Sequence, residues 1–596
     1  MQATERRLVI LLVLMFLGYA FVRLMTNQSA QENPRELVDT AAYFRVSQQP
    51  ITDVRFWGDK RPLVFPLLLK ISAGDFPRAS LYQVVFSIFA WGLLACFVSA
   101  SMRTVQLRLA SFGLILALSL VRHLANWEYV MMTESLSVSW FVLFLALGIW
   151  LVHGWRADKV IALCAAGLFL AFTRDTNAYL LLMLAGMLTL AALFRWVKPR
   201  VLIPAAFFLF TFLLNNYNSD IGERWVFPMH NLVGRRILLS SAAVTYLESC
   251  GMPVSPALLG MANNFGHSQD SAFYNDPELE DYRIWLLEDG KTCYMKYLLT
   301  NPARSLRQAW VPFQELIAFQ DVDKYFAAQY DPILPWFIEP FIYPVNFIPF
   351  LWVGLTVAAL FALWQQAWTS NPLWGIFILL DLPILPHLFI TWHGDAMAPE
   401  RHALSVGLQI ALCFWLLIFL WLDQFIVQRR PAQMNTIKTP NSFQRFMHRI
   451  AMLRPVSAAL AVILYRVDNA MLKISGGRRT LSELFLPMVQ ITTIGAKSGE
   501  PRTMPLAGLI DGDKIILIGS NFGQKHNPSW YYNLKATPQC TVLVSGRTGV
   551  YIAREAQGEE RERYWKMAVS VYMGFDMYRI RASHRTIPVM ILEQVK

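Results

Sequence analysis

The chain has 596 residues, 55% of them hydrophobic and 14% aromatic, with a mean hydropathy of +0.37. That balance excludes both a disordered chain and an ordinary soluble protein. The formal net charge is +12, and over residues 441–596 there are 21 Lys and Arg against 11 Asp and Glu, so the positive excess gathers at the C-terminal end, where it suits an anionic ligand or an anionic membrane surface.

Apolar runs long enough to cross a bilayer recur up to about residue 430, whereas 441–596 has the composition of a soluble domain. A polytopic membrane domain over 1–430 and a cytosolic-type domain are therefore expected. Arg6 and Arg7 precede the first run, 8–25, and predict an internal N-terminus. No small-residue cleavage pattern follows that run, which is expected to stay as a helix. Further runs at 81–102, 109–121, 135–152, 160–172, 178–194, 201–215, 335–364, 372–392 and 403–427 give about ten expected spans. The 109–121 run is short and reads as a longer or re-entrant span. Arg103/Arg108, Arg156/Lys159, Arg195/Lys198/Arg200 and Arg429/Arg430 then all fall on the side of Arg6/Arg7. This predicts a multi-pass protein of the cell membrane, surrounded by lipid, with its N-terminus and C-terminal domain cytoplasmic.

Two long segments, 26–78 and 216–334, lie outside in that arrangement. The second carries Cys250 and Cys293, which pair if the exterior is oxidising and otherwise stand as separate thiols. The six cysteines form no CxxC or Cys/His cluster, and His393, Asp395, Glu400 and His402 match no ligand spacing, so no metal site is expected.

Ionisable residues recur at span boundaries. Asp39 follows the first span, Arg61-Pro62 and Pro66 precede the second, Glu134 opens one span, Arg174 and Asp175 close another, and Pro399-Glu400-Arg401-His402 opens the last. Such groups either anchor spans at the interface or form a ligand site. The arrangement resembles the GT-C superfamily of polytopic glycosyltransferases. By that resemblance Asp39 is the catalytic acid of the first outer loop, and a polyprenyl-phosphate sugar is the donor, its phosphate held by Arg174 or Arg401.

Residues 428–442 are polar and read as a linker, and 443–474 as one or two basic amphipathic helices suited to a membrane surface. The glycine pair at 476–477 ends them, so 431–475 is treated as a connector and 476–596 as the final domain. There the period changes to that of strands, expected at 488–494, 502–510, 514–519, 540–544, 549–555 and 587–593, with turns at 511–512 and 545–548. Helices are expected at 529–536 and 559–572. Six short strands and two helices predict a small β-barrel of α+β type.

Within it, a basic turn carries Gly495, Lys497, Ser498, Gly499 and Arg502, followed by Thr503 and Pro505. A later strand end carries Ser520, Asn521 and Gly523, then Lys525, Pro528, Trp530 and Asn533. Hydroxyls, glycine backbone and cations at strand ends suit a phosphate-bearing cofactor, or else form a solvated hairpin turn. No nucleic-acid recognition motif is present.

The run Ile491-Thr492-Thr493-Ile494-Gly495-Ala496-Lys497-Ser498-Gly499 with Arg502, Pro505 and Leu506 resembles the deazaflavin-dependent nitroreductase family, which includes quinone reductases. The run Pro528-Ser529-Trp530-Tyr531-Tyr532-Asn533-Leu534 and the closing Arg585-Thr586-Ile587-Pro588-Val589 match that family in order and spacing. The resemblance implies a split β-barrel of the FMN-binding type, using coenzyme F-420 as cofactor, with FMN as the alternative. It implies hydride transfer to a quinone, nitro compound or similar small-molecule acceptor. Lys497, Ser498, Gly499, Arg502, Thr503, Pro505, Ser520, Asn521, Gly523, Lys525, Pro528, Trp530 and Asn533 would bind the cofactor or wall its pocket. Tyr572 and Tyr578 would serve the substrate side as proton donors, or else pack in the core. Ala496 stands where the family often has Arg, which removes one cation from the turn.

Overall fold

The computed structural model describes residues 3–266, 272–318, 325–326, 330, 332–344, 348–427, 488–544 and 547–595. It divides into two compact units, Met1–Asp423 and Gln424–Lys596. The linker and basic helix expected at 428–474 lie outside the described residues.

Among the described residues of the first unit, seven helices are long and apolar enough to cross a membrane: Glu5–Met25, Phe76–Ala100, Glu134–Val152, Asp175–Leu193, Pro199–Ile221, Leu373–Gly394 and Leu404–Gln424. The short run near 109–121 becomes a broken element, Val105–Leu118 followed by Arg122–Tyr129 at 56°. The remaining expected runs form helices of only 15 and 17 residues, Ala157–Ala171 and Ile348–Trp364. The expected span at 335–364 contains the described helix Ile348–Trp364. Pro335, Pro340 and Pro344 each remove a backbone donor upstream, and a single turn, Glu339–Ile342, forms between them.

Local chemistry sets several helix starts. Asp75 caps Phe76–Ala100 by accepting from the Arg78 N–H, and Thr104 caps Val105–Leu118 through Leu107. Arg23, fully buried, pairs with Glu128 on the broken element and donates to the Ser119 carbonyl at 3.0 Å. A lone buried charge of either sign is costly, so this pair fixes how the first helix is rotated against its neighbours.

Part of the 216–334 segment builds its own apolar core from Met229, Leu247, Phe273, Tyr282 and Trp285. Cys250 and Cys293 are joined there by a disulfide with their Cα atoms 6.3 Å apart, across 43 residues of sequence, a separation within the normal range.

The second unit contains a closed barrel of six antiparallel strands: β1 Met488–Ile494, β2 Pro501–Asp511, β3 Lys514–Ile518, β4 Gln539–Val544, β5 Arg547–Glu555 and β6 Val589–Gln594. Their order around the barrel is β1-β2-β3-β6-β5-β4. In β1 burial alternates, with Val489, Ile491 and Thr493 turned inward. The expected strands and the Ser529–Ala536 helix are present, and Gly558–Val571 occupies the second expected helical stretch. A further helix, Gly574–Arg581, was not expected from the sequence.

The register decides where the connections go. Ile494 pairs with Pro501, Ile518 with Val589 and Glu555 with Met590. The 495–500 turn, the 519–538 connection and the 556–588 connection therefore all lie at one end. The opposite end holds two tight turns and residues 488 and 595, where the described chain enters and leaves the barrel.

Reduction, or the Cys250→Ser and Cys293→Ser pair, is expected to destabilise the outer core by about 4 kcal/mol, the loop-entropy value for a 43-residue closure. Chemical denaturation followed by tryptophan fluorescence, with and without reductant, checks this.

Candidate active site

The populated end of the barrel carries most of the residues singled out from the sequence. The basic turn is a tight one: the Gly495 N–H donates to the Glu500 carbonyl at 2.9 Å and the Gly499 N–H to the Gly495 carbonyl at 2.8 Å. Gly499 has φ +69°, a conformation that a side chain resists. At Gly495 a Cβ would meet the Ser498 hydroxyl at 2.5 Å. Lys497, Ser498, Arg502 and Thr503 stand exposed around this turn. Neither Lys497 nor Arg502 makes an ion pair with another described residue, so both cations are available to an anion.

Asn533 holds the turn in place. Its side-chain amide donates to Thr493 Oγ1 at 3.0 Å and its Oδ1 accepts the Ala496 N–H at 2.9 Å. Asn533 and Thr493 are buried, so the Ser529–Ala536 helix is stitched to the end of β1. Asn533, expected from the sequence to touch a cofactor, positions the basic turn through its amide. Because the Ala496 contact is made by backbone and its side chain is exposed, alanine there keeps the geometry and gives up only a charge. Pro528 precedes the helix with extended backbone, and Trp530 packs into the barrel core beside Leu534. Pro505 lies within β2 opposite Gln490.

The second group centres on Ser520, Asn521 and Gly523. Asn521 and Phe522 both have positive φ, 46° and 55°, and Gly523 has φ +79°. A Cβ at Gly523 would lie 2.8 Å from the Arg581 Cβ. Arg585, quoted in the closing motif without a role, fastens this loop. It donates to the Ser520 carbonyl at 2.9 Å and the Gln524 carbonyl at 3.1 Å, and it also contacts Asn527. Ser520 is buried, and Lys525 is exposed with no ion pair to another described residue.

Tyr572 and Tyr578 lie beneath this loop, their hydroxyls 3.1 Å apart and both rings buried. Phe522 meets the Tyr578 ring edge-on at 6.0 Å. Burial pushes both phenols above their ordinary range. They stay protonated at neutral pH.

In the first unit the scattered boundary charges converge. Asp39 pairs with Arg61 at 2.8 Å and with Arg401 at 3.5 Å. Arg401 also reaches Glu134 at 3.2 Å, and Arg174 reaches Glu134 at 3.5 Å. Arg174 donates to His402 Nδ1 at 2.9 Å, which leaves the His402 Nε2 side turned toward Asp395, 3.8 Å away. Tyr325 donates to Glu400 at 2.8 Å. Five separate stretches of sequence thus meet in one largely buried network. No group of three or more His, Cys, Asp or Glu suited to a metal is present among the described residues.

The family model of F420-H2-dependent quinone reductases matches residues 464–594. A putative F420-H2-dependent quinone reductase of Mycobacterium tuberculosis is 32% identical over 107 residues, which cover 18% of this chain and 89% of that relative. The chain belongs to the F420-H2-dependent quinone reductase family. A second relative from the same organism, an F420-H2-dependent quinone reductase, is 32% identical over 109 residues, 18% of this chain and 72% of its own length. Among solved structures, an F420-H2 dependent reductase is 41% identical over 18% of this chain and 94% of its own, with a TM-score of 0.17. Family membership rests on the C-terminal unit alone.

Asn533→Ala removes two buried hydrogen bonds and is expected to cost the C-terminal unit about 2 kcal/mol, with an enlarged amplitude of motion in the 495–500 turn. Hydrogen exchange at Ala496 and Gly499 reads both effects, and Asn533→Asp should keep the Ala496 bond while the Thr493 hydroxyl turns to donate to the new carboxylate.

Proposed function

We propose that the C-terminal unit reduces a quinone held in the membrane, using reduced coenzyme F-420. Membership of the family makes this unit an oxidoreductase that depends on that coenzyme. The observation that carries the reading is the pairing, at one barrel end, of a basic turn with available cations and a loop backed by two protonated tyrosines. The residues fit a phosphate- and carboxylate-bearing cofactor. Lys497, Arg502 and Lys525 supply charge, Ser498 a hydroxyl, and Gly499 a backbone that approaches closely.

When bound, the reduced coenzyme supplies two electrons as a hydride. The chain's own part is to orient and to hold a proton. Ser520, Asn521 and Gly523 border the ring side, Pro528 and Trp530 wall it, and Thr503 and Pro505 line the approach along β2. Tyr578 is placed to give a proton to a quinone oxygen and to regain one through Tyr572, so hydride and proton together make the quinol. Nitro compounds and other activated acceptors fit the same step. The seven apolar helices support tethering to a membrane, and the Lys/Arg distribution supports about ten crossings with both the N-terminus and the barrel cytoplasmic.

Lys497→Ala and Arg502→Ala should each weaken coenzyme F-420 binding about ten-fold and flatten its dependence on ionic strength. Fluorescence titration of the full chain at two salt concentrations checks this, and unchanged affinity in both variants would remove the turn from the site.

A second reading is favoured by the network around Asp39. Three arginines and the two acids they pair with, Asp39 and Glu134, gathered at span ends fit a GT-C-like transferase that uses a polyprenyl-phosphate sugar, with Asp39 as its catalytic acid and Arg174 or Arg401 on the phosphate. Asp39→Asn should abolish sugar transfer from a lipid-linked donor in reconstituted membranes. Transfer at the parental rate would exclude Asp39.

A further inference from the structure

The Gly574–Arg581 helix has two apolar faces. Phe575, Tyr578 and Ala582 turn inward and are buried. Met573, Met577 and Ile580, spaced i, i+4 and i+7, form one outward stripe. Their exposures are 48%, 40% and 67%. Phe522, 46% exposed, lies on the adjoining loop and meets Tyr578, so the stripe runs up to the edge of the tyrosine site. Large exposed apolar side chains gathered in this way are uncommon on a surface that meets only water.

The surroundings of the stripe are basic. Lys525 is exposed, the Arg581 guanidinium lies over the Tyr578 ring at 5.8 Å, and Arg585 holds the loop behind. The one acid on the helix, Asp576, is neutralised by Arg579 at 3.0 Å. An apolar stripe flanked by Arg and Lys is complementary to the headgroup boundary of an anionic bilayer.

We propose that Met573, Met577 and Ile580, with Phe522, form a bilayer-docking face through which a lipid-dissolved quinone reaches the tyrosines. The proposal rests on the reductase reading above and adds the route by which its acceptor arrives. A quinone with a long isoprenoid tail does not leave the hydrocarbon readily, so its ring must be met at the interface. Sixty residues, 428–487, separate Val427 from β1, enough covalent length for the site end to approach the membrane that holds the apolar helices.

The test uses the full chain in nanodiscs containing anionic lipid, with reduced coenzyme F-420 and two acceptors, a long-tailed quinone in the bilayer and a short-chain, water-soluble quinone. The variant is Met577→Glu with Ile580→Glu, and Met577→Leu with Ile580→Leu is its apolar control. The acidic variant should lose about ten-fold or more of its turnover with the bilayer quinone. With the soluble quinone it should stay close to the parent, which also shows that it folds. The leucine control should match the parent with both. An equal fall with both acceptors, or no fall with either, overturns the docking face. So does a change of oligomeric state with bilayer turnover kept, which would give the stripe to a second copy of the chain. A parent that reduces neither quinone fails the reductase reading itself, a separate outcome.

Discussion

A closed antiparallel barrel has no free edge, and its connections must alternate between its two ends. In this chain that constraint sorts the sequence. Two tight turns fall at one end, while the basic turn and the two long connections fall at the other. Most of the residues singled out after residue 488 are thereby collected in one place, although they are spread over some 80 residues of sequence, from Gly495 to Tyr578. The collection still needs fastening. Asn533 fastens the basic turn to the first of these connections, and Arg585 fastens the loop that begins with Ser520 to the last. Both do so by satisfying backbone groups that would otherwise be left without partners near a buried surface.

The first unit obeys a different constraint. Charges taken out of water among apolar helices must find opposite charges or hydrogen bonds. Arg23 with Glu128 ties the first helix to the broken element. The set formed by Asp39, Arg61, Glu134, Arg174 and Arg401 ties the 26–78 segment to the starts of three helices. Such a network holds the unit together by pairing each guanidinium group with a carboxylate.

Much of this was legible in the sequence, for identifiable reasons. Strand periodicity and turn residues give all six strands, because each strand buries one face and exposes the other. The motif from Ile491 to Asn533 also gives the family. The role of Asn533 was not legible, since an amide in such a motif reads equally well as a ligand contact or as a staple. Arg585 was quoted only as part of a pattern, because its partners are carbonyls about 60 residues earlier. The Gly574–Arg581 helix was missed because its outward stripe is apolar, which blurs the usual two-faced period. In the first unit, apolar length finds the long helices, but over 335–344 the prolines limit the described helix to the single turn Glu339–Ile342. The meeting of five boundary segments around Asp39 depends on tertiary packing that no local pattern encodes.

The measurement that bears most directly on the account is a comparative titration of the purified full chain with oxidised coenzyme F-420 and with FMN, each followed by the cofactor's own fluorescence. The account predicts saturable binding of coenzyme F-420, one per chain, and none of FMN over the same range. Tight binding of FMN with no response to coenzyme F-420 would contradict it.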